Sequence, residues 1–253
     1  MFVVISPAKK LDFETSSPIK KDSEIRYPDE TFSLIKELRK CSADEISKLM
    51  KLSDSLTELN VERYKKYDPK FKKQVSKQAV FAFAGDTYIG LDANSLAKED
   101  ILYSQEHLGI LSGLYGLLRP LDIIQPYRLE MGTRFPTKGC KNLYDFWSTT
   151  VTTEINKILK KEKYLVNLSS NEYFSVINDK EVKGDIITPV FKEKKGDQYK
   201  VVSFNAKRAR GMMSRYIIEN KLSHPKDLKK FDMDHYQYSS ELSSEFEPTF
   251  TRG

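Results

Sequence analysis

The chain predicts an α/β fold: a mixed sheet flanked by helices, in a single compact domain with a basic cleft. Three observations lead there. Short apolar runs suited to buried strands alternate with helical-period segments along all 253 residues. No Gly/Ser-rich or Pro-rich linker divides the chain, and no internal repeat is visible. Cationic side chains are gathered into a few segments rather than spread evenly.

Each element follows from its local pattern. Phe2–Ile5 is a short β-branched run, read as a buried first strand closed by Ser6-Pro7. Residues 12–28 are polar and hold Pro18 and Pro28, which predicts an extended connection. Asp29 or Thr31 is placed to cap a helix to about Lys40, with Phe32, Ile35 and Leu38 on one face. Ser42 caps a second helix to about Leu52, and Ser53 opens a third to about Tyr67, before Pro69. Ala79–Ala84 is expected as the next buried strand, turning at Gly85-Asp86. Ser95–Tyr103 is expected as a helix, and Leu108–Leu118 as strand plus turn. Tyr144–Leu159 has helical spacing, and Tyr164–Leu168 is a buried strand. Ile186–Phe191 and Tyr199–Phe204 suggest a strand pair around a polar turn at Glu193–Asp197, with a basic helix over Ala206–Asn220.

Composition narrows the function classes. The hydrophobic share of 39% fills a sizeable core, while the charged share of 31% exceeds the usual ~25%. The net charge of +6 is modest, so its distribution carries the information. Cys41 and Cys140 are the only cysteines, which argues against a disulfide framework or a sulfur-ligated metal. His107, His224 and His235 are scattered, so neither a metal site nor a cofactor is expected. The opening MFVVISPAKK lacks the order of a signal peptide, and no apolar run approaches the ~18 residues of a membrane span. A cytoplasmic protein with no membrane partner is the expectation.

The most informative stretch is 107–132, HLGILSGLYGLLRPLDIIQPYRLEMG. A plain core element does not need Arg119, Arg128 and Glu130 this close to Gly113 and Gly116. Glycine permits tight turns and close approach, and arginine presents a fork of donors to phosphate. Two further segments are strongly basic. Residues 61–78 hold Arg63, Lys65, Lys66, Lys70, Lys72, Lys73 and Lys77; residues 192–215 include Lys207, Arg208 and Arg210. Cations near the first turn of a helix oppose its dipole, which favours an anion-binding role for the second cluster. Phe231–Pro248 reverses the sign, with five acids and no Lys or Arg. This acidic tail, 231–253, is either a solvated end or a shield that mimics a polyanion over the basic surface.

Several loops expected at strand ends carry polar groups, and such loops collect ligands in open α/β sheets. Ser6 and Lys9 follow the first strand; Asp86 follows the second; Asn171 and Glu172 follow YLVNL. Lys9 is either an anion contact or an exposed turn lysine. Asp86 is either a general base or a helix cap. Arg128 and Glu130, two apart in extended chain, share a face. They form a salt bridge, or Arg128 holds a phosphate while Glu130 orients it or acts on a proton. Tyr115 and Tyr127 stack on bases or fill core, and Trp147 reads as core.

Together these motifs resemble the YaaA peroxide-stress family. The similarity runs through ISPAKKLDF (5–13), FAGDTYIGL (83–91), LSGLYGLLRPLDIIQPYRLEMG (111–132), LYDFW (143–147), NLSSNEYF (167–174), PVFKE (189–193) and SFNAKRARGMMSRYIIEN (203–220). The resemblance implies a cytoplasmic protein that helps cells survive hydrogen peroxide and is associated with lower free iron. It also implies a positive cleft, binding of double-stranded DNA, and a helix-hairpin-helix-like element, for which LSGLYGLLRP is the candidate segment.

Two functional expectations follow. The first is a DNA-binding stress protein in which Lys9, Arg119, Arg128, Lys207, Arg208 and Arg210 contact phosphates, with Ser6, Gly113, Tyr115, Gly116 and Asn171 in the ligand loops. The second is an enzyme acting on a nucleotide-like small ligand or nucleobase, of N-glycosidase or lyase type. Glu130, Asp86 or Glu172 would then be its acid or base.

Overall fold

The computed structural model describes residues 1–71 and 75–253. Lys72 and Lys73, part of the first basic segment, lie outside the described residues. From the N-terminus the chain forms β1 (Phe2–Ile5), α1 (Pro28–Leu38), α2 (Ala43–Met50), α3 (Asp54–Lys66), β2 (Lys77–Gln78), α4 (Ala79–Ala82), α5 (Asp86–Leu91) and α6 (Lys98–His107). Then come β3 (Leu108–Ser112), β4 (Gly116–Leu118), β5 (Ile123–Ile124), α7 (Leu143–Glu162), β6 (Tyr164–Leu168), α8 (Asn171–Phe174) and β7 (Asp185–Ile187). The C-terminal part holds β8 (Val190–Lys195), β9 (Gln198–Lys200), α9 (Ser203–Glu219), β10 (Gln237–Ser239) and β11 (Thr249–Arg252).

The main sheet has the order β4-β3-β1-β6-β7. β1 pairs in parallel with β3 on one side, Val3 opposite Leu108, and with β6 on the other, Val3 opposite Val166. β7 continues the parallel set, and β4 returns antiparallel to β3. A central parallel strand is covered on both faces, which is why FVVI is apolar at every position rather than alternately. A second sheet, β10-β11-β8-β9, stands apart, and β2 with β5 makes a two-stranded ribbon. The molecule is a single compact α/β domain of mixed sheets and helices.

Several expectations need correction. Ala79–Ala82 is a helical turn, not a strand; a short apolar run does not distinguish the two by period. Its amides instead reach carbonyls of the opposite loop, Ala79 N–H to Asp122 and Val80 N–H to Pro120. The helix expected at Ser95–Tyr103 runs from Lys98 to His107 after a 3-10 turn at Ala93–Ser95. The first helix begins one residue after Tyr27, with Pro28 in its first turn, so neither Asp29 nor Thr31 is the cap. Ser42 does cap α2, in a reciprocal box with Glu45.

LSGLYGLLRP, expected to hold a helix-hairpin-helix-like element, is the β3–β4 hairpin. Gly116 takes φ +69° there, and an added Cβ would stand 2.8 Å from the Trp147 ring. Ile186 and Phe191 fall on different sheets: β7 joins the main sheet, and β8 pairs with β9 around a turn at 196–197.

The acidic tail is not a loose end. β11 inserts between β10 and β8, and Phe231, Tyr236 and Phe250 close on Phe191. The Arg252 guanidinium holds Glu193 at 2.6 Å and also pairs with Asp234. These apolar residues are spaced by turns, so no period exposed them.

One crossing matters most for the site. α5 and α9 meet backbone to backbone: a Cβ on Gly90 would fall 2.0 Å from the Arg208 carbonyl oxygen. One on Gly211 would fall 1.8 Å from that of Thr87. Only glycine admits such an approach.

Candidate phosphate-binding cleft

β1 and β6 are parallel neighbours, so the loops leaving their C-terminal ends emerge side by side. They open a cleft of about 640 Å³. Ser6–Lys10 forms one wall and Ser170–Tyr173 the next. Gly85–Tyr88 and, from α9, Lys207 and Arg210 complete it beside Glu130. The third loop follows α4 rather than a strand, so two strand ends and one helix junction converge.

The floor is fixed by hydrogen bonds between distant segments. The Ser170 amide donates to Ser6 Oγ at 2.9 Å, and Tyr88 OH donates to the Ser6 carbonyl at 3.1 Å. Asn167 Oδ1 accepts from the Ser169 amide and hydroxyl at 3.0 and 2.8 Å, shaping the turn that delivers Asn171. Burial pushes the Tyr88 and Tyr173 phenols well above their ordinary range, so both present neutral rings.

The charges are arranged unevenly. Lys9, Lys10, Lys207 and Arg210 line the cleft with Asp86, Glu130 and Glu172. Glu130 Oε1 accepts from Arg128 Nε at 3.1 Å and pairs with Lys9 Nζ at 3.2 Å. Glu172 Oε1 accepts the Gly132 amide at 3.0 Å. Asp86 is the first residue of α5, with Gly85 at the cap position, so it does not cap the helix.

Arg210 differs from the rest. Its guanidinium makes no hydrogen bond or ion pair among the described residues, and burial lowers its pKa from the ordinary value. Leaving a half-buried cation unpaired is costly unless a ligand anion completes it. Among the described residues no three His, Cys, Asp or Glu side chains are grouped to hold a metal.

Ser6, Lys9, Asp86, Glu130, Asn171, Glu172, Lys207 and Arg210 thus share one cavity. Arg128 borders it through a small adjoining recess with Lys9 and Tyr173. Other expected site residues lie elsewhere. Arg119 is held by Asp122, at 2.9 Å, and by the Glu24 carbonyl, at 2.9 Å, and stiffens a turn. Gly113, Tyr115 and Gly116 are buried in the hairpin; Gly113 accepts from Trp147 Nε1 at 2.9 Å, and Tyr115 OH accepts from the Gln125 amide at 3.0 Å. Arg208 is exposed on α9 outside the cleft. Lys10, Tyr88 and Tyr173 were missed, although each adjoins a residue singled out by the strand-end pattern.

A protein-family model described as "Peroxide stress protein YaaA" matches residues 1–242. A UPF0246 protein of Saccharophagus degradans is 49% identical over 254 residues, covering 100% of this chain and 99% of that protein. UPF0246 proteins of Paraburkholderia phytofirmans and Shewanella woodyi are 47% and 48% identical, again over 100% of this chain and 98% and 99% of theirs. With a family model over residues 1–242 and relatives nearly half identical over its full length, the chain belongs to the YaaA peroxide-stress protein family.

Proposed function

We propose that this protein acts in peroxide defence in the cytoplasm by binding double-stranded DNA through a basic cleft, limiting oxidative damage to it. The observation that carries the reading is the half-buried Arg210, without a partner among the described residues, beside Lys207 in a cleft. A phosphate oxygen is the natural partner of a guanidinium fork. Lys9 adds charge from the Ser6–Lys10 wall and Arg128 from the adjoining recess, and Glu130 pairs with both. An effect on free iron is read as indirect, through DNA shielded from iron-driven oxidation.

The test is duplex binding followed by fluorescence anisotropy over a range of salt. Each phosphate contact contributes a slope of about −0.9 in log K against log salt. Arg210→Ala is expected to weaken binding and reduce that slope by about one contact. An affinity indifferent to salt, or an unchanged slope in the variant, refutes the reading.

One observation favours a second reading, an enzyme acting on a nucleotide or nucleobase. Glu130 Oε1 takes both cations, and Oε2 has no bond among the described residues. A carboxylate oxygen left open in a cavity of this size is suited to proton transfer. Incubation with nucleosides, nucleotides and damaged duplex tests it; release of free base, abolished by Glu130→Gln, would establish it over simple binding.

A further inference from the structure

The cleft has the size of a small-ligand pocket. A polymer that places a phosphate at Arg210 must therefore run out over the neighbouring surface. α9 provides the direction. Phe204, Lys207 and Arg208 stand at i, i+3 and i+4 and share a helix face. Lys207 lines the cleft, so Phe204 and Arg208 extend from it.

Just before α9 lies the β8–β9 hairpin, whose outer strand is the free edge of its sheet. Lys194 stands directly opposite Tyr199, so the two side chains are cross-strand neighbours. Tyr199 is 41% exposed, Val201 53% and Phe204 59%. Lys194, Lys195, Lys200, Lys207 and Arg208 face only Asp197 between residues 194 and 208, and none of the five cations forms an ion pair among the described residues. Lysines alone would be ordinary protection for a sheet edge. Exposed aromatic side chains between them work against such protection and match a surface that neutralises phosphates while stacking on bases or sugars.

We propose that the β8–β9 hairpin and the first turns of α9 form a nucleic-acid arm outside the cleft. Lys194, Lys200 and Arg208 neutralise backbone phosphates, and Tyr199 and Phe204 stack on unpaired bases where the duplex ends in a single-stranded overhang. The inference rests on the reading that the cleft takes DNA, and it extends the bound length beyond the cleft.

The test compares two labelled duplexes, a short blunt one of about one helical turn and a long one of several turns that ends in a single-stranded overhang. Both are titrated from about 50 to about 200 mM salt. On the long duplex the triple variant Lys194→Ala/Lys200→Ala/Arg208→Ala is expected to lose about 2.7 from the salt slope. Tyr199→Ala/Phe204→Ala is expected to weaken binding by about tenfold or more with the slope preserved. On the short duplex neither variant departs from wild type. All five side chains are exposed, so melting temperatures stay at the wild-type value.

An unchanged slope and affinity on the long duplex overturns the arm. So does light scattering that shows a dimer lost in the triple variant while its DNA slope is intact, since the edge would then pair with a second copy. The cleft reading fails separately: Arg210→Ala would leave both duplexes unaffected while the arm variants still lose affinity.

Discussion

Replacing Gly211 by alanine tests whether the α5–α9 crossing holds the two walls of the cleft together. The new Cβ would stand 1.8 Å from the Thr87 carbonyl oxygen and 2.7 Å from the Leu91 amide nitrogen. Both are backbone atoms, so no rotamer change relieves the clash. Even 3.0 Å of separation requires α5 to withdraw by about 1.2 Å, which a densely packed interior resists. Overpacking costs about 1–3 kcal/mol, and with rigid partners the upper end applies. For a chain of this size about 3 kcal/mol lowers the melting temperature by roughly 6–12 °C.

The readouts are thermal melting and urea titration, with the midpoint expected to fall at constant m. Gly139 supplies the control. No described residue lies within 4 Å of a Cβ there, so its φ of +79° is what opposes alanine, at about 1–2 kcal/mol. A second consequence is functional: withdrawal of α5 carries Asp86–Tyr88 away from Lys207 and Arg210, so the DNA affinity proposed for the cleft drops along with stability. Gly90→Ala strains the same crossing, and the double variant loses less than the sum, because the first insertion already opens it. A Gly211→Ala protein that melts within about a degree of wild type would refute the argument.

Three other outcomes are expected. Arg252→Ala strands Glu193, which keeps the Tyr236 hydroxyl at 3.1 Å but loses its cation; the cost is about 1–3 kcal/mol, measured by urea titration. Trp147→Phe leaves the Gly113 carbonyl without its donor and opens space against Gly116, lowering stability by about 2–3 kcal/mol by the same titration. Asp12 accepts the Thr15 and Glu14 amides at 2.9 and 3.0 Å, and those bonds, with the Thr15 hydroxyl and Lys77, bring its pKa from 3.8 down to about 2. A depressed carboxylate stabilises the fold above pH 3.8 and loses that contribution as pH falls through 2, so Asp12→Asn flattens the stability profile over that interval in acid titrations.

The parts of the fold that sequence displayed were those whose signal is local. Phe2–Ile5 and Tyr164–Leu168 are apolar without alternation, and burial on both faces of a parallel sheet demands that. Ser42 with Glu45 is a helix start written within four residues. What stayed hidden depends on partners far along the chain. Ala79–Ala84 has the composition of a strand, yet its only strand-like pairing is the bridge of Phe83 to Leu11 among the described residues; the 120–122 loop meets the amides of Ala79 and Val80 instead. The C-terminal residues looked like a charged end because Phe231, Tyr236 and Phe250 become a core only when β8 brings Phe191 to them.

The candidate site shows the same division, and Arg119 against Arg210 makes it concrete. Both are arginines in segments rich in glycine and cations, and sequence gives each the same claim on a phosphate. The difference lies in what surrounds them. Three residues after Arg119 the chain turns and returns the buried Asp122 to it, so that its charge is satisfied within the fold. Of the three carboxylates that line the cleft with Arg210, Glu130 is engaged with Lys9 and Arg128, Glu172 with the Gly132 amide, and Asp86 forms no ion pair with it; the α5–α9 crossing at Gly90 and Gly211 keeps its helix against the cavity wall. An arginine signals a ligand only when the fold pairs it with no local acid, and that pairing is a property of tertiary structure. A swap experiment follows from it. Asp122→Asn releases Arg119 at a cost in stability but adds no phosphate contact, because Arg119 lies outside the cleft of Lys207 and Arg210; the salt slope for the proposed DNA binding stays at the wild-type value. A slope steeper by about one contact in that variant would mean that cation number, rather than the cleft, governs binding.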